Sequence, residues 1–585
     1  MTLKLSSALS FAVIIAAICL CSCNTDNDII PGNRPTIEFD APDGVYTVKV
    51  GHELRIDPIV GNAQNAQFTW SMNGETLGHE RALVMQWNHL GSFYVMLTVT
   101  SPAGTASEEA RVDVVEKTPP VIDLALPSEG IYLLPGQKYD FKPRFSHSDV
   151  EGFSVKWLVD GAEKSTAESY EFSSDTEGTF NVTVVATNDD GEAQTSAKVN
   201  VVSRLPRSLT FEAPSLMTGS TTRYTFPGRS VILSPAARNI EAGAPYSWTV
   251  NGSAVNCTGG TFSFTPSEPG NYNITAAADG ATATVTVVCV NATEKSRMRP
   301  ATASSSAYIT KVWEYVPAPG QFINDNGSIG GMPSDIASHH EACQWAMSRL
   351  QSRLPVSLGA CCGYIIAGFD HSVEAGRALY DLAVGGNSFD RSNEPGTVWV
   401  MQDVNGNGVP DDEWYELRGS DHDNPLTIHN YAVTYYKPAG AAMDVSWTDN
   451  QGSSGLVSYL KSYHSQLSYY PAWISAPSYT LRGTRLPART EYNSVTGEWY
   501  TLPAEWGYAD NFGSDTFALG SSAEGGDGQR VGLKISNAVM ADGKPIELAY
   551  IDFICIRSGV MANLGRIGES STEVFSIADY RLSVN

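Results

Sequence analysis

Three tryptophans in matching surroundings constrain this chain more than any other feature. Trp70, Trp157 and Trp248 lie 87 and 91 residues apart, within Phe-Thr-Trp-Ser-Met-Asn-Gly, Val-Lys-Trp-Leu-Val-Asp-Gly and Tyr-Ser-Trp-Thr-Val-Asn-Gly. Each segment reads as a strand with an inward Trp, running into a tight turn at Asn73-Gly74, Asp160-Gly161 or Asn251-Gly252. About twenty residues on, each copy has a Gly, a spacer, an aromatic residue and an alternating strand, beginning at Gly91, Gly178 and Gly270. Upstream, Tyr46, Tyr132 and Tyr224 open runs that reach Pro58, Pro143 and Pro235. Alternating strands with regular turns in units of this length predict a tandem of three β-sandwiches over 35–117, 118–204 and 205–292. The three Trp residues are expected in the sandwich cores. The repeats hold no cluster of His, Cys or acids suited to catalysis, so they are expected to act as a stalk. The joints at 116–119 and 203–207 are too short to swing freely. Cys257 and Cys289 both fall in the third copy and are candidates to pair across its two sheets.

This pattern resembles PKD-like, immunoglobulin-type modules. Ahead of it, residues 1–22 read as a secretory signal, with Lys4 as its positive charge and an apolar stretch over about 9–20. Leu20-Cys21-Ser22-Cys23 resembles a bacterial lipobox, with Cys23 as the lipidated residue; plain secretion with cleavage nearby is the alternative. Residues 23–34 read as a tether. Its Asp26 and Asp28 resemble the acidic tags that route Bacteroidota lipoproteins to the cell surface. No later stretch is long and apolar enough to span a bilayer, so membrane attachment is expected through the lipid alone. The chain carries a formal charge of -25, which disfavours nucleic acid as a partner.

Residues 300–585 break the repeat. One helix is expected over 333–354, with Ser334 as N-cap, Pro355 as terminator, and Ile336, Cys343, Met347, Leu350 and Leu354 on one face. The rest reads as short strands with Gly-rich turns, predicting one larger, jelly-roll-like β-sandwich. The fold class is thus mainly β: three immunoglobulin-like, PKD-like sandwiches and a larger sandwich domain with one helix.

Asp403-Val-Asn-Gly-Asn-Gly-Val-Pro-Asp-Asp places oxygen side chains at positions one, three and five and a Gly at six, as calcium loops do. Asp403, Asn405, Asn407, the Val409 carbonyl, Asp411 and Asp412 form the candidate ligand set for a structural Ca2+. Trp414 stands where an EF-hand needs Glu, so Asp411 and Asp412 must close the shell. The competing reading is an Asn-Gly-rich turn without metal. No redox cofactor is indicated.

Fifteen Tyr and Trp fall between 431 and 508, about three times the chain's average density. Tyr435, Tyr436, Tyr463, His464, Tyr469, Tyr470, Trp473, Trp499, Trp506 and Tyr508 are therefore candidate ligand contacts, with ordinary core packing as the alternative for each. Asp370, Glu394, Glu416, Glu505, Asp510 and Glu573 are the carboxylates from which a glycosidase pair would be drawn, but nothing fixes their separation. His339-His340-Glu341 lacks the HExxH spacing of a zinc protease.

Gly363-Tyr-Ile-Ile-Ala-Gly-Phe-Asp-His, Gly386-Asn-Ser-Phe, the stretch from Glu394 to Asp412, Trp506-Gly-Tyr-Ala-Asp-Asn and Ser571-Thr-Glu-Val resemble a Bacteroidota "cell surface protein" domain that follows PKD-like repeats. Such proteins resemble accessory surface lipoproteins of corrinoid (vitamin B12) uptake. The resemblance implies a non-enzymatic outer-membrane lipoprotein that faces the cell exterior. It would capture a corrinoid for an outer-membrane, TonB-dependent transporter. A glycan-binding lipoprotein of a polysaccharide utilisation system, a structural or adhesive surface protein, and a glycoside hydrolase or lyase are the competing expectations.

Overall fold

The computed structural model describes residues 33–213, 219–326, 331–461, 466–518 and 529–584. The signal segment, Cys23, Tyr463 and His464 lie outside the described residues. The chain divides into two compact units, Met1–Thr118 and Pro119–Asn585.

The first unit holds one immunoglobulin-like sandwich. Its five-stranded sheet runs Val45–Lys49, Gly104–Val115, Gly91–Ser101, Gln67–Met72, Glu75–Gly78. Two short ladders oppose it, Glu53–Ile56 with Leu83–Gln86 and Thr36–Glu38 with Ile59–Gly61. Alternation decides what is buried. Val95, Leu97 and Val99 point into the core, while Tyr94 and Met96 on the alternate positions face solvent. Trp70 is fully buried among them, and its indole N–H donates to the Arg81 carbonyl (3.3 Å).

The second unit repeats this sandwich twice, strand for strand. The corresponding sheets run Ile131–Leu133, Gly191–Val201, Gly178–Asn188, Ser154–Val159, Ala162–Ser165, and Arg223–Thr225, Ala281–Cys289, Gly270–Ala278, Ser247–Val250, Ser253–Val255. Trp157 and Trp248 are buried and donate to the carbonyls of Ala167 (2.9 Å) and Gly259 (2.8 Å). Each indole thus keeps its polar tip satisfied inside an apolar core. Asn73, Asp160 and Asn251 have φ near +50°, and the glycines after them lie at +82° to +84°, as two-residue hairpin turns require. Cys257 and Cys289 are free thiols: Cys257 points its sulfur at the Thr261 carbonyl (3.4 Å) and Cys289 is buried. The candidate pairing is therefore not made.

In the C-terminal region a six-stranded antiparallel sheet runs Lys311–Val316, Tyr364–Glu374, Tyr550–Ser558, Gly396–Met401, Trp414–Leu417, Ala538–Val539. One face carries Ile365, Ala367, Val398, Val400, Ile554 and Ile556. It packs on a four-stranded sheet (Thr516–Ala518, Gln529–Leu533, Leu382–Gly385, Ser576–Asp579) and on the helix. The other face carries Tyr364, Ile366 and Cys555. It packs on a third sheet, Ser454–Val457, Val445–Asp449, Ile428–Tyr436, Ser478–Arg485. The central strands are covered on both sides, which explains why Tyr-Ile-Ile-Ala-Gly-Phe reads as a continuous apolar run. The expected sandwich is present, with a third sheet laid on it.

The helix is shorter than predicted, His339–Gln351, and Ser338 is its N-cap, accepting from the Glu341 N–H (3.2 Å). Ser334 lies ahead of it, tied to Asn326. Cys343 and Leu350 are buried as expected, together with Ala342 and Ala346, whereas Leu354 is exposed beyond the helix end. Among the described residues no helix is long and apolar enough to cross a membrane.

The second and third repeats dock on the C-terminal domain, which departs from a simple stalk. Arg144 bonds Ser446, and Arg482 pairs with Glu212. Arg223 pairs with Glu413 (3.4 Å), and Arg229 donates to Gln402 (2.6 Å) while pairing with Glu294 (3.2 Å).

Candidate functional site

The 403–412 loop closes on itself through its own side chains. Asp403 accepts from the N–H groups of Gly406 (2.8 Å) and Gly408 (2.9 Å). The side-chain oxygens of Asn405 and Asn407 accept from Asn407 N–H (2.9 Å) and Val409 N–H (2.7 Å). Both Asn amides donate to the Asp411 carboxylate, and the Val409 carbonyl accepts from Asp411 N–H (2.9 Å). Asp412 is fully buried. One of its oxygens accepts from Val404 N–H (2.9 Å), while Oδ1 has no partner among the described residues. Burial, then the charges of Asp403 and Asp411, push its carboxyl up to about 9. Asp412 thus leaves one buried oxygen unpartnered with the charges of Asp403 and Asp411 near it, and the loop offers oxygen donors only, the chemistry a hard cation takes.

Three of the six candidate carboxylates meet elsewhere. Glu394, Asp510 and Glu573 bring one oxygen each within 4.8 Å of one another. Glu394 and Glu573 share a hydrogen bond, Asp510 accepts from the backbone N–H of Asn387 and Glu573 (both 3.0 Å), and Glu394 accepts from Ser571 N–H (2.8 Å). Burial, then the Asp510 charge, push Glu394 up to about 8; burial also raises Asp510 and Glu573. This cluster ties chain segments together from within the fold. Asp370 is engaged by His371 (2.7 Å), Glu505 is exposed, and Glu416 lies in the cleft described below.

The aromatic set divides. Tyr435, Tyr436, Tyr469, Tyr470 and Tyr508 are core residues. Tyr435 donates to the Cys361 carbonyl (2.9 Å) and Tyr470 to that of Ala476 (2.8 Å). Tyr436 bonds Thr448 (2.8 Å), while the Tyr469 and Tyr508 hydroxyls accept from Leu460 and Asp421 N–H groups. Packing between sheets accounts for their density, and they present no open face. Trp473, Trp499 and Trp506 are part-exposed in separate settings: against the His339 ring (5.4 Å), against the Tyr492 ring (5.1 Å), and beside a 300 Å³ cavity.

A cleft of about 610 Å³ lies where the third repeat meets the C-terminal domain. Period-two alternation builds its floor. Val398, Val400, Tyr415 and Leu417 face the core, so Trp399, Trp414 and Glu416 take the opposite face. Arg557 joins them, its guanidinium over the rings of Tyr364 (4.7 Å) and Trp399 (6.0 Å). Glu212 and Arg223 of the third repeat form one wall. His422 and His429 form another, their rings 4.5 Å apart. His429 Nε2 bonds the His422 carbonyl (2.9 Å), and its Nδ1 lies 3.9 Å from Glu416 Oε2, which accepts from Thr484 (2.7 Å). Burial, then His429 and Arg418, push His422 down to about 4, and burial raises Glu416 to about 7. His422 Nδ1 and Trp414 Nε1 have no partners among the described residues. Sequence reading singled out Glu416 but not Trp414, His422 or His429. The Trp414-x-Glu416 alternation marks a shared face; nothing in the spacing joins the two histidines to it.

A PKD-like domain model matches residues 34–101 and 119–188. No curated protein matches the chain. Among solved structures, the I-band fragment I67–I69 of titin is 16% identical, with 44% of this chain and 98% of that chain covered and a TM-score of 0.20. Fibronectin(III)-like modules of Clostridium thermocellum CbhA are 18% identical over 29% of this chain and 97% of theirs, TM-score 0.19. The three N-terminal domains of the bacteriophage RB49 outer capsid protein Hoc are 14% identical over 44% and 100%, TM-score 0.23.

Proposed function

We propose that this chain is a surface-exposed, lipid-anchored binding protein that captures a small ligand in the cleft floored by Trp399 and Trp414. The observation that carries this reading is the cleft itself, which brings Trp399 and Trp414 together with Arg557, the His422–His429 pair and Glu212 and Arg223 of the third repeat. Indole rings beside charged and hydrogen-bonding side chains suit a ring-shaped ligand rimmed by hydrogen-bonding groups. The resemblance of the C-terminal region to accessory proteins of corrinoid uptake makes a corrinoid the first ligand to test. Capture without turnover, anchorage through Cys23 in the outer membrane, and hand-over to a TonB-dependent transporter belong to the same reading. A structural Ca2+ held by Asp403, Asn405, Asn407, the Val409 carbonyl, Asp411 and Asp412 would fix the loop whose last residue, Asp412, also lines the cleft.

Calorimetric titration of residues 24–585 with cyanocobalamin, with and without calcium, tests it. Saturable binding that weakens at least ~tenfold in Trp414→Ala is expected, as for loss of a central aromatic contact. No heat, and no co-elution of the red ligand on gel filtration, overturns the corrinoid assignment. Indole faces beside carboxylates also suit a sugar, so a glycan array on the same protein is the second arm. An adhesive role for the repeats is the reading left if both arms are silent.

A further inference from the structure

We infer that Glu416, His422 and His429 form a binding site for one divalent transition-metal ion of the zinc class, with its open coordination positions facing the cleft. The three side chains bring one donor atom each within 4.8 Å of one another. Two imidazoles and one carboxylate are a donor set that suits zinc and its neighbours, unlike the all-oxygen 403–412 loop. The His429 tautomer is set by its partner: Nε2–H donates to the His422 carbonyl (2.9 Å), which leaves the Nδ1 lone pair toward Glu416. The Nδ1 to Oε2 separation of 3.9 Å is too long for a hydrogen bond. Ligand atoms on a tetrahedral zinc ion stand about 3.3 Å apart, given bonds of about 2.0–2.1 Å, so a small contraction closes the site.

The second observation is His422 itself. It is only 7% exposed, and its Nδ1 has no partner among the described residues. A buried imidazole nitrogen left without a partner is costly unless something binds it. The supports are rigid. Glu416 sits in the strand Trp414–Leu417 and is held by Thr484, His429 sits in the strand Ile428–Tyr436, and the segment carrying His422 is pinned by the Arg489–Asp421 pair (2.6 Å). Three protein ligands leave a fourth position for water or for a donor atom of whatever enters the cleft.

The proposal does not depend on which ligand the cleft captures. The full chain, purified in detergent and stripped with chelator, is dialysed against Zn2+ or Co2+ with calcium in excess. Metal content is then read by elemental analysis, and cobalt by its visible d–d absorption. One zinc per chain is expected, displacing cobalt. His429→Ala, at an exposed position, and Glu416→Gln should each weaken binding at least ~tenfold. Asp411→Asn, in the calcium loop but outside the cleft lining, should leave zinc stoichiometry unchanged, which separates this site from the calcium loop. Failure of the wild-type chain to retain zinc, or equal retention by His429→Ala and Glu416→Gln, overturns the assignment. A cyanocobalamin titration of zinc-free and zinc-loaded protein reports on ligand capture separately, so either idea can fail alone.

Discussion

Asp412 places a carboxylate oxygen where the fold supplies no hydrogen and two other carboxylates stand nearby. Asp412→Asn keeps the shape and removes the charge. In calcium-free buffer the variant should therefore melt higher than the parent. In calcium at a hundredfold excess over Kd the parent should gain ~2.7 kcal/mol and the variant almost nothing, as scanning calorimetry would read. A raise in the parent's melting temperature that the variant shares would place the cation elsewhere. Glu394 gives a pH prediction of opposite sign to the usual carboxylate. Its folded carboxyl holds its proton up to about 8, against 4.5 for an unperturbed glutamate, with Asp510, Glu573 and Glu569 around it. Between those values the native state binds more protons than the unfolded chain, so stability falls as pH rises. The slope from this group is at most about 1.4 kcal/mol per pH unit, and Glu394→Gln should flatten the decline in denaturant midpoint between pH 5 and 8.

Strands and turns were the most legible level of this chain. The Trp-x-x-Asn-Gly register foretold a buried indole, a hairpin turn and a return strand, because side-chain period and turn chemistry are local properties. Gly161 shows the dependence: its φ is +83°, and Gly161→Ala should cost roughly 1–2 kcal/mol although the added methyl touches nothing. Chemical denaturation should show this as a lower midpoint. Aromatic density was legible as a number but not as a role. Tyr435 and Tyr470 lie between sheets that only tertiary packing brings together, whereas Trp399 and Trp414, partly buried at the edge of that core, also line the cleft. The helix start moved from the vicinity of Ser334 to Ser338 because both residues offer a capping hydroxyl, and only Ser338 meets the Glu341 N–H. The His422–His429–Glu416 group was not legible, since a turn and the approach of two different sheets create its proximity.

Between domains, a few half-buried arginines join repeats to the C-terminal domain within the second unit. Arg229 has 13% of its side chain exposed and bonds both Gln402 and Glu294. Arg229→Ala leaves Glu294 with the Gln402 amide and the Ala549 N–H but without its countercharge and should destabilise this unit by roughly 1.5–3 kcal/mol, measurable as a lower melting transition of the whole chain. The cleft should loosen with it, because Glu212 and Arg223 of the same repeat form its wall. In all three repeats a strand near the entrance pairs parallel with the exit strand: Val45–Lys49 with Gly104–Val115, Ile131–Leu133 with Gly191–Val201, and Arg223–Thr225 with Ala281–Cys289. Tension applied at the two ends of such a domain drags the paired strands in opposite directions along their length. The ladder is then loaded in shear, and its hydrogen bonds must yield together instead of unzipping one by one. Forced unfolding is governed by the rate of that concerted step. A domain wired in this way, pulled from its two ends, resists extension by a rate and not by its equilibrium stability alone.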